Sequence, residues 1–182
     1  MEKHIENLIK YLIHQIDSGI KIYALLDAAK NPEIAYKPFE FFSEWISLYK
    51  GETIEALADV APYLVNLSKD NSPNKDLIQW ICQNCWGESC CILVYSEEYL
   101  DQLFEHFNQF IIVSDESKKS FYFRFYDPRV LKVYLPTCNE EELKLFFGNV
   151  HQFVMEDDST DSMFSYSLSE GNLISKQSSI IC

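Results

Sequence analysis

Glycine is scarce in this sequence, and recognisable catalytic motifs are missing. Only five of the 182 residues are glycine, too few for repeated tight loops or a phosphate-cradling segment. None of the patterns GxSxG, HExxH or the Walker loop occurs, and no histidine stands beside a Ser or Cys in a catalytic motif. The sequence therefore predicts no catalytic residue and favours a protein that is not an enzyme.

Long apolar runs are absent as well. No stretch approaches the ~20 apolar residues of a transmembrane helix. Polar and charged residues interrupt the opening segment MEKHIENLIKYLIHQ, so it does not have the form of a signal peptide. We expect a cytoplasmic protein whose six cysteines are reduced thiols.

Positive charge is in short supply. The formal net charge is −13. Such a surface repels nucleic acid and anionic membranes, so neither is expected as a partner. The acidity either attracts a basic partner or keeps the protein in solution.

What the sequence has is an alternation of helical and strand patterns. Helices are predicted over 3–17, 38–49 and 75–86, and strands over 20–28, 62–67, 90–95, 110–113 and 120–126. This alternation indicates an α/β protein (α+β mixed) with a central mixed, partly parallel sheet covered by helices. Residues 1–153 are predicted to form the main domain. Residues 154–182 are predicted to form a short β-rich tail, a small antiparallel hairpin unit that packs on the domain or extends it.

Two helix starts carry clear capping signals. Asp127 and Pro128 suit the N-cap and first position of one helix. Asn139 and Glu142 have the spacing of a capping box for the next helix, which should end at Gly148.

Four cysteines fall within ten residues, which is the first feature to test for chemistry. They could hold zinc or act as redox thiols, but neighbouring residues of a strand point to opposite faces, so only one of Cys90 and Cys91 could face a shared metal. We therefore interpret the group as small core residues and predict no metal site. A thiol-dependent enzyme built on Cys82, Cys85 or Cys90 with a distant histidine stays as a less favoured alternative.

Arginine is the most informative residue type because it occurs only twice. Arg124 and Arg129 both lie in FRFYDPRVL, and lysine serves everywhere else. Since the guanidinium group binds carboxylate through two parallel hydrogen bonds, we expect a specific Arg–carboxylate arrangement here, with Asp127 as a candidate partner. Either the ion pair fixes the local turn, or one arginine is left to bind a partner.

Several segments together resemble one known family. FYFRFYDPRVL (121–131), YALLDAA (23–29), VAPYLVNL (60–67), the pair Trp86-Gly87 and FFGNV (146–150) occur in the same order as the segments of the type VI secretion adaptor–chaperone family, catalogued as domain of unknown function 4123. The resemblance covers roughly residues 20–153.

The resemblance implies a function without chemistry. Members of that family are cytoplasmic, bind a toxic effector, often at its N-terminal region, and help to load it onto the spike protein of the secretion machine; they carry no cofactor. The implied signature cluster, partner-binding or structural, comprises Arg124, Tyr126, Asp127, Arg129, Tyr63 and Trp86. An immunity-type protein that neutralises a toxin by binding it is the other alternative.

Overall fold

A computed structural model describes residues 2–115, 117–159 and 161–180. Within them the α-helices are α1 (Lys3–Asp17), α2 (Lys37–Glu40), α3 (Glu52–Leu57), α4 (Lys75–Asn84), α5 (Leu100–Asn108), α6 (Pro128–Tyr134) and α7 (Glu140–Phe147). Short 3₁₀ turns occur at Pro32–Ala35, Ala58–Val60 and Leu135–Thr137. The strands are β1 (Ile22–Asp27), β2 (Trp45–Ser47), β3 (Pro62–Asn66), β4 (Ser68–Lys69), β5 (Ser72–Pro73), β6 (Cys91–Ser96), β7 (Ile112–Ser114), β8 (Ser120–Tyr122), β9 (Val150–Glu156), β10 (Ser162–Ser169) and β11 (Asn172–Ser179).

The main sheet has seven strands in the order β11-β10-β9-β6-β1-β3-β2. The α+β class is confirmed, but each described strand pair is antiparallel, so the prediction of a mixed sheet was wrong in strand direction. The reason lies in the crossover through α4. It joins β3 to β6, which run parallel to each other, but β1 lies between them and runs the opposite way. The alternation of helix and strand patterns therefore correctly indicated a crossover between two parallel strands, but those two strands are not neighbours in the sheet.

Helices cover both faces of the sheet. Strands β1 and β6 are buried along their full length, as expected for strands covered on both sides. On the first face, α1 and α4 bury Leu8, Leu12, Leu77 and Ile81 against Ala24 and its neighbours. On the second face, α5, α6 and α7 pack an aromatic core against alternate residues of the same strands, including Tyr23 and Leu25 of β1. No helix in the described residues is both long enough and apolar enough to cross a membrane.

The predicted helix starts are confirmed by their hydrogen bonds. Asp127 Oδ1 accepts from the backbone N–H of Arg129 at 3.0 Å, and Pro128 is the first residue of α6. At α7, Glu142 N–H donates to Asn139 Oδ1 at 3.0 Å while Asn139 N–H donates to Glu142 Oε2 at 2.8 Å, which completes a capping box. Gly148 ends this helix with a φ of +51°.

Two predicted elements differ from the structure. Residues 38–49 do not form one helix, because the chain turns at Phe42 and Trp45–Ser47 then pairs with β3 as an edge strand. The predicted strand over 120–126 stops at Tyr122. Beyond it, the backbone turns so that the Phe125 ring enters the second-face core, 5.7 Å from the Phe107 ring centroid. In both places, contacts distant in sequence outweigh the local pattern.

The C-terminal strands continue the main sheet. β10 and β11 form the predicted antiparallel hairpin, and β9 joins it to β6.

Candidate functional site

Arg124 pairs with a carboxylate that the sequence did not point to. Its Nη2 donates to Oδ2 of Asp27, the last residue of β1, whose side chain is fully buried. The second carboxylate oxygen accepts from Ala29 N–H at 3.1 Å. Partial burial acts to lower the pKa of Arg124, but the hydrogen bond and charge of Asp27 outweigh it and hold that pKa above its usual value. The pair ties the segment before α6 to the end of a central strand.

Arg129 pairs with the predicted partner, Asp127. Nε and Nη2 donate to the two carboxylate oxygens at 3.0 and 2.6 Å, the two-pronged geometry expected of arginine. Burial acts to raise the pKa of Asp127, but the side-chain and backbone hydrogen bonds from Arg129 lower it below its usual value. The side chain of Arg129 is 61% exposed, so this pair lies at the surface.

Tyr126 connects the ion pairs to a neighbouring surface. Its ring is buried, with its centroid 5.8 Å from the guanidinium carbon of Arg124. Its hydroxyl lies 3.5 Å from the hydroxyl of Tyr49, and burial together with this contact raises the pKa of Tyr126. The Tyr49 ring in turn lies 5.3 Å from that of Tyr122. Arg124, Tyr126, Tyr49 and Tyr122 thus form a chain of contacts between the buried Asp27 and strand β8.

The β7–β8 pair forms a separate two-stranded hairpin, which we call the apolar hairpin. Its four large apolar side chains are each between 41% and 57% exposed: Ile112, Val113, Phe121 and Tyr122. Ile112 pairs with Tyr122 and Val113 with Phe121, so apolar groups occupy both faces of the ribbon. An isolated hairpin is marginally stable in water, so contacts such as that between Tyr49 and Tyr122 are needed to hold it in place.

An open groove of about 640 Å³ borders the surface ion pair. It is lined by Asp127, Arg129, Val130, Val133, Tyr134 and Thr137. Val133 is 72% exposed, so this part of α6 presents apolar surface beside a charged group.

Tyr63 and Trp86 lie apart from the arginines. Both are buried in the core of the first face, whereas Tyr126 is buried in that of the second. The Tyr63 hydroxyl donates to the Ala58 carbonyl at 3.0 Å. The loop after Trp86 is held by Glu156, which accepts from Ser89 N–H at 2.9 Å. The residues of the predicted signature cluster therefore fall into two groups on opposite faces of the sheet.

The cysteines occupy the first-face core. Cys82, Cys85, Cys90 and Cys91 are buried free thiols, and Cys90 Sγ donates to the Cys85 carbonyl at 3.3 Å. Burial raises the pKa of Cys82 to about 12, which suppresses the reactive thiolate. Among residues 2–115, 117–159 and 161–180, no three His, Cys, Asp or Glu side chains are grouped to hold a metal ion. Cys182 lies outside the described residues.

Sequence reasoning missed Asp27 and Tyr49. The only signal for Asp27 was its position, an acidic residue closing an otherwise apolar strand. A buried charge of this kind needs a partner, and Arg124 stands 97 positions away.

The fold and site define a three-layer α+β domain with one buried-carboxylate ion pair, one surface ion pair and an exposed apolar hairpin. The family model described as "Domain of unknown function (DUF4123)" matches residues 22–145, about two thirds of the 182 residues. The chain belongs to this family. The matched range runs from β1 into α7 and includes both arginines. No curated protein and no solved structure matches the chain.

Proposed function

We propose that this protein is a non-enzymatic adaptor that binds a type VI secretion effector in the cytoplasm and helps to load it onto the spike protein. Membership of the DUF4123 family supports the proposal, since the segments carrying the sequence resemblance lie largely within the matched range. In this proposal, the ion pairs of Arg124 and Arg129 hold the segment that follows the apolar hairpin, and the hairpin contacts the effector.

The observation that carries the proposal is the apolar hairpin. Four large apolar side chains stand on a ribbon outside the main sheet, where each is at least 41% exposed. Clustered apolar side chains at a surface mark a site for a protein partner. Aromatic groups such as Phe121 give large contact area at low entropic cost, which suits shielding of an apolar client segment.

The buried thiols count against the thiol-dependent alternative. A nucleophilic cysteine needs access and a lowered pKa, whereas Cys82 and Cys85 are buried and have raised pKa values.

Co-elution with the effector encoded beside this protein tests the proposal. The purified protein should shift to an earlier size-exclusion fraction when mixed with that effector, and Val113→Ser/Phe121→Ser should abolish the shift. Leu145→Ser is the matched control, because Leu145 is a 60% exposed apolar residue of α7. An elution profile unchanged by the effector contradicts the proposal. Protection of cells by expression alone would instead identify an immunity protein, since an adaptor should affect delivery only.

A further inference from the structure

A second group of exposed aromatic residues lies between β1 and β2. Tyr36, Phe39 and Phe42, here called the aromatic ridge, are 47%, 69% and 75% exposed. Phe39 and Phe42 are the two most exposed phenylalanines of the described residues. The neighbouring Phe41 points inward, with its ring centroid 6.5 Å from that of Trp80 in the first-face core. The ridge therefore belongs to the first face, whereas Phe123 joins the apolar hairpin to the second-face core.

The turn that presents Phe42 is fixed. Phe42 has a φ of +53°, a left-handed conformation that a bulky side chain adopts only where its surroundings hold it. On one side, Asn74 Nδ2 donates to the Phe41 carbonyl at 3.0 Å. On the other, Ser43 Oγ donates to the Asn66 carbonyl, and Asn66 N–H donates to the Glu44 carbonyl at 2.8 Å. The ring is thus held in solvent by a pre-organised backbone, as a binding anchor requires.

The segment that carries the ridge is acidic. Between residues 31 and 60 the chain carries six exposed carboxylates, at Glu33, Glu40, Glu44, Glu52, Glu55 and Asp59. Only two lysines lie in this range; Lys37 pairs with Glu40 at 2.8 Å, and Lys50 pairs with Glu105 at 3.2 Å. The formal charge of the range is therefore 2 − 6 = −4.

The ridge rings already attract cations. The Lys69 ammonium lies 4.9 Å from the Phe42 ring centroid, and the Lys37 ammonium lies 5.6 Å from that of Tyr36. Ring faces at these distances interact favourably with a cation. With Phe42 75% exposed, much of its surface is open to further groups from a partner.

We propose that the aromatic ridge binds a polypeptide segment that alternates Lys or Arg with apolar residues. The apolar residues would pack on Phe39 and Phe42, and the cations would pair with carboxylates of the same acidic segment and with the ring faces. This inference rests on the proposed function, to which it adds the chemistry of one partner. Because the ridge and the apolar hairpin belong to opposite faces of the sheet, two partners could be bound at once.

Fluorescence anisotropy with three labelled synthetic peptides tests the inference. The first peptide alternates Lys with Leu and Trp, the second has Glu in place of each Lys, and the third has Ser in place of each apolar residue. The first should bind tightest and should weaken as salt is added. Phe39→Ser/Phe42→Asn should weaken its binding by at least about tenfold. Leu145→Ser, outside both proposed surfaces, should leave its binding unchanged.

Four results would overturn the inference. Equal binding of the first two peptides would remove the role of charge, and equal binding of the first and third would remove the role of the rings. A wild-type dimer that Phe39→Ser/Phe42→Asn dissociates in sedimentation would show that a second copy covers the ridge. Asparagine is chosen at position 42 because it accepts a positive φ. Circular dichroism of the variant checks that it is folded. Effector co-elution is measured separately. A wild-type protein that co-elutes with the effector but binds none of the three peptides would refute the ridge and leave the adaptor proposal standing.

Discussion

Replacing Arg124 by methionine should destabilise the fold more than neutralising its partner. Arg124 is the only cation within ion-pair distance of Asp27 among the described residues. The Asp27 side chain is fully buried, whereas that of Arg124 is 42% exposed. Methionine keeps much of the apolar stem but leaves a buried carboxylate without a counter-charge, while a guanidinium that loses its carboxylate can still be hydrated.

The magnitudes follow from this asymmetry. Breaking a buried ion pair by removing one partner costs about 3–5 kcal/mol, and the partial exposure of Arg124 reduces this to about 2–3 kcal/mol. Asp27→Asn should cost about 1 kcal/mol, because an amide oxygen can still accept from Ala29 N–H. The double variant should cost about 1–2 kcal/mol, less than the sum of the single changes.

Urea unfolding followed by tryptophan fluorescence measures these differences, since the chain has three tryptophans. The double-mutant cycle supplies its own control, because each single variant removes one partner. If Asp27→Asn costs as much as Arg124→Met, or if the two changes are additive, the buried-charge account of this pair is wrong.

Three further predictions concern the surface pair, the turn at Phe42 and the thiols. Burial acts to raise the pKa of Asp127, but hydrogen bonds from Arg129 lower it. The ionised Asp127 carboxylate therefore stabilises the folded state above about pH 4, and this contribution is lost as pH falls through the lowered pKa. Asp127→Asn should therefore lower the free energy of unfolding by about 0.5–1 kcal/mol at pH 7, with a difference that shrinks in acid; a difference independent of pH would contradict this. Phe42→Asn should change the free energy of unfolding by no more than about 1 kcal/mol, because asparagine tolerates the positive φ and the ring is mostly exposed. A loss above about 2 kcal/mol would show that this ring contributes to the core. Peptide mapping after iodoacetamide treatment should find four thiols unlabelled in the native protein and labelled after denaturation: Cys82, Cys85, Cys90 and Cys91. Rapid native labelling of any of them would revive a thiol-dependent activity.

Elements set by local chemistry could be predicted from the sequence. Helix α1 has the predicted bounds because its apolar spacing alone specifies a buried face. The capping box at Asn139 and the N-cap at Asp127 involve atoms within three residues of each other, so their spacing is visible in the chain. The pairing of Asp127 with Arg129 was predictable for the same reason.

Elements that depend on contacts between residues distant in the chain could not be predicted from the sequence. Trp45–Ser47 has helical spacing, but it pairs with β3 because that strand offers an unpaired edge. Strand directions depend on β1 lying between β3 and β6, which no local pattern encodes. The partner of Arg124 lies at the end of β1, and only the folded sheet brings the two together.

The apolar hairpin shows a different gap. A strand was predicted for FIIV (110–113) and another for 120–126, and both exist in part. Alternating aromatic residues were consistent with burial, yet the ribbon stands outside the main sheet with Phe121 and Tyr122 exposed. These apolar residues would be buried if β7 and β8 joined the main sheet, and they are exposed because the two strands pair only with each other.

Affinity isolation of the tagged protein from its native cells, with mass spectrometry of the bound proteins, tests the adaptor account most directly. The account predicts recovery of one large neighbouring-gene product together with a spike protein, and loss of at least one of them with Val113→Ser/Phe121→Ser but not with Leu145→Ser. Recovery of neither protein, or equal recovery with the hairpin variant, would contradict it.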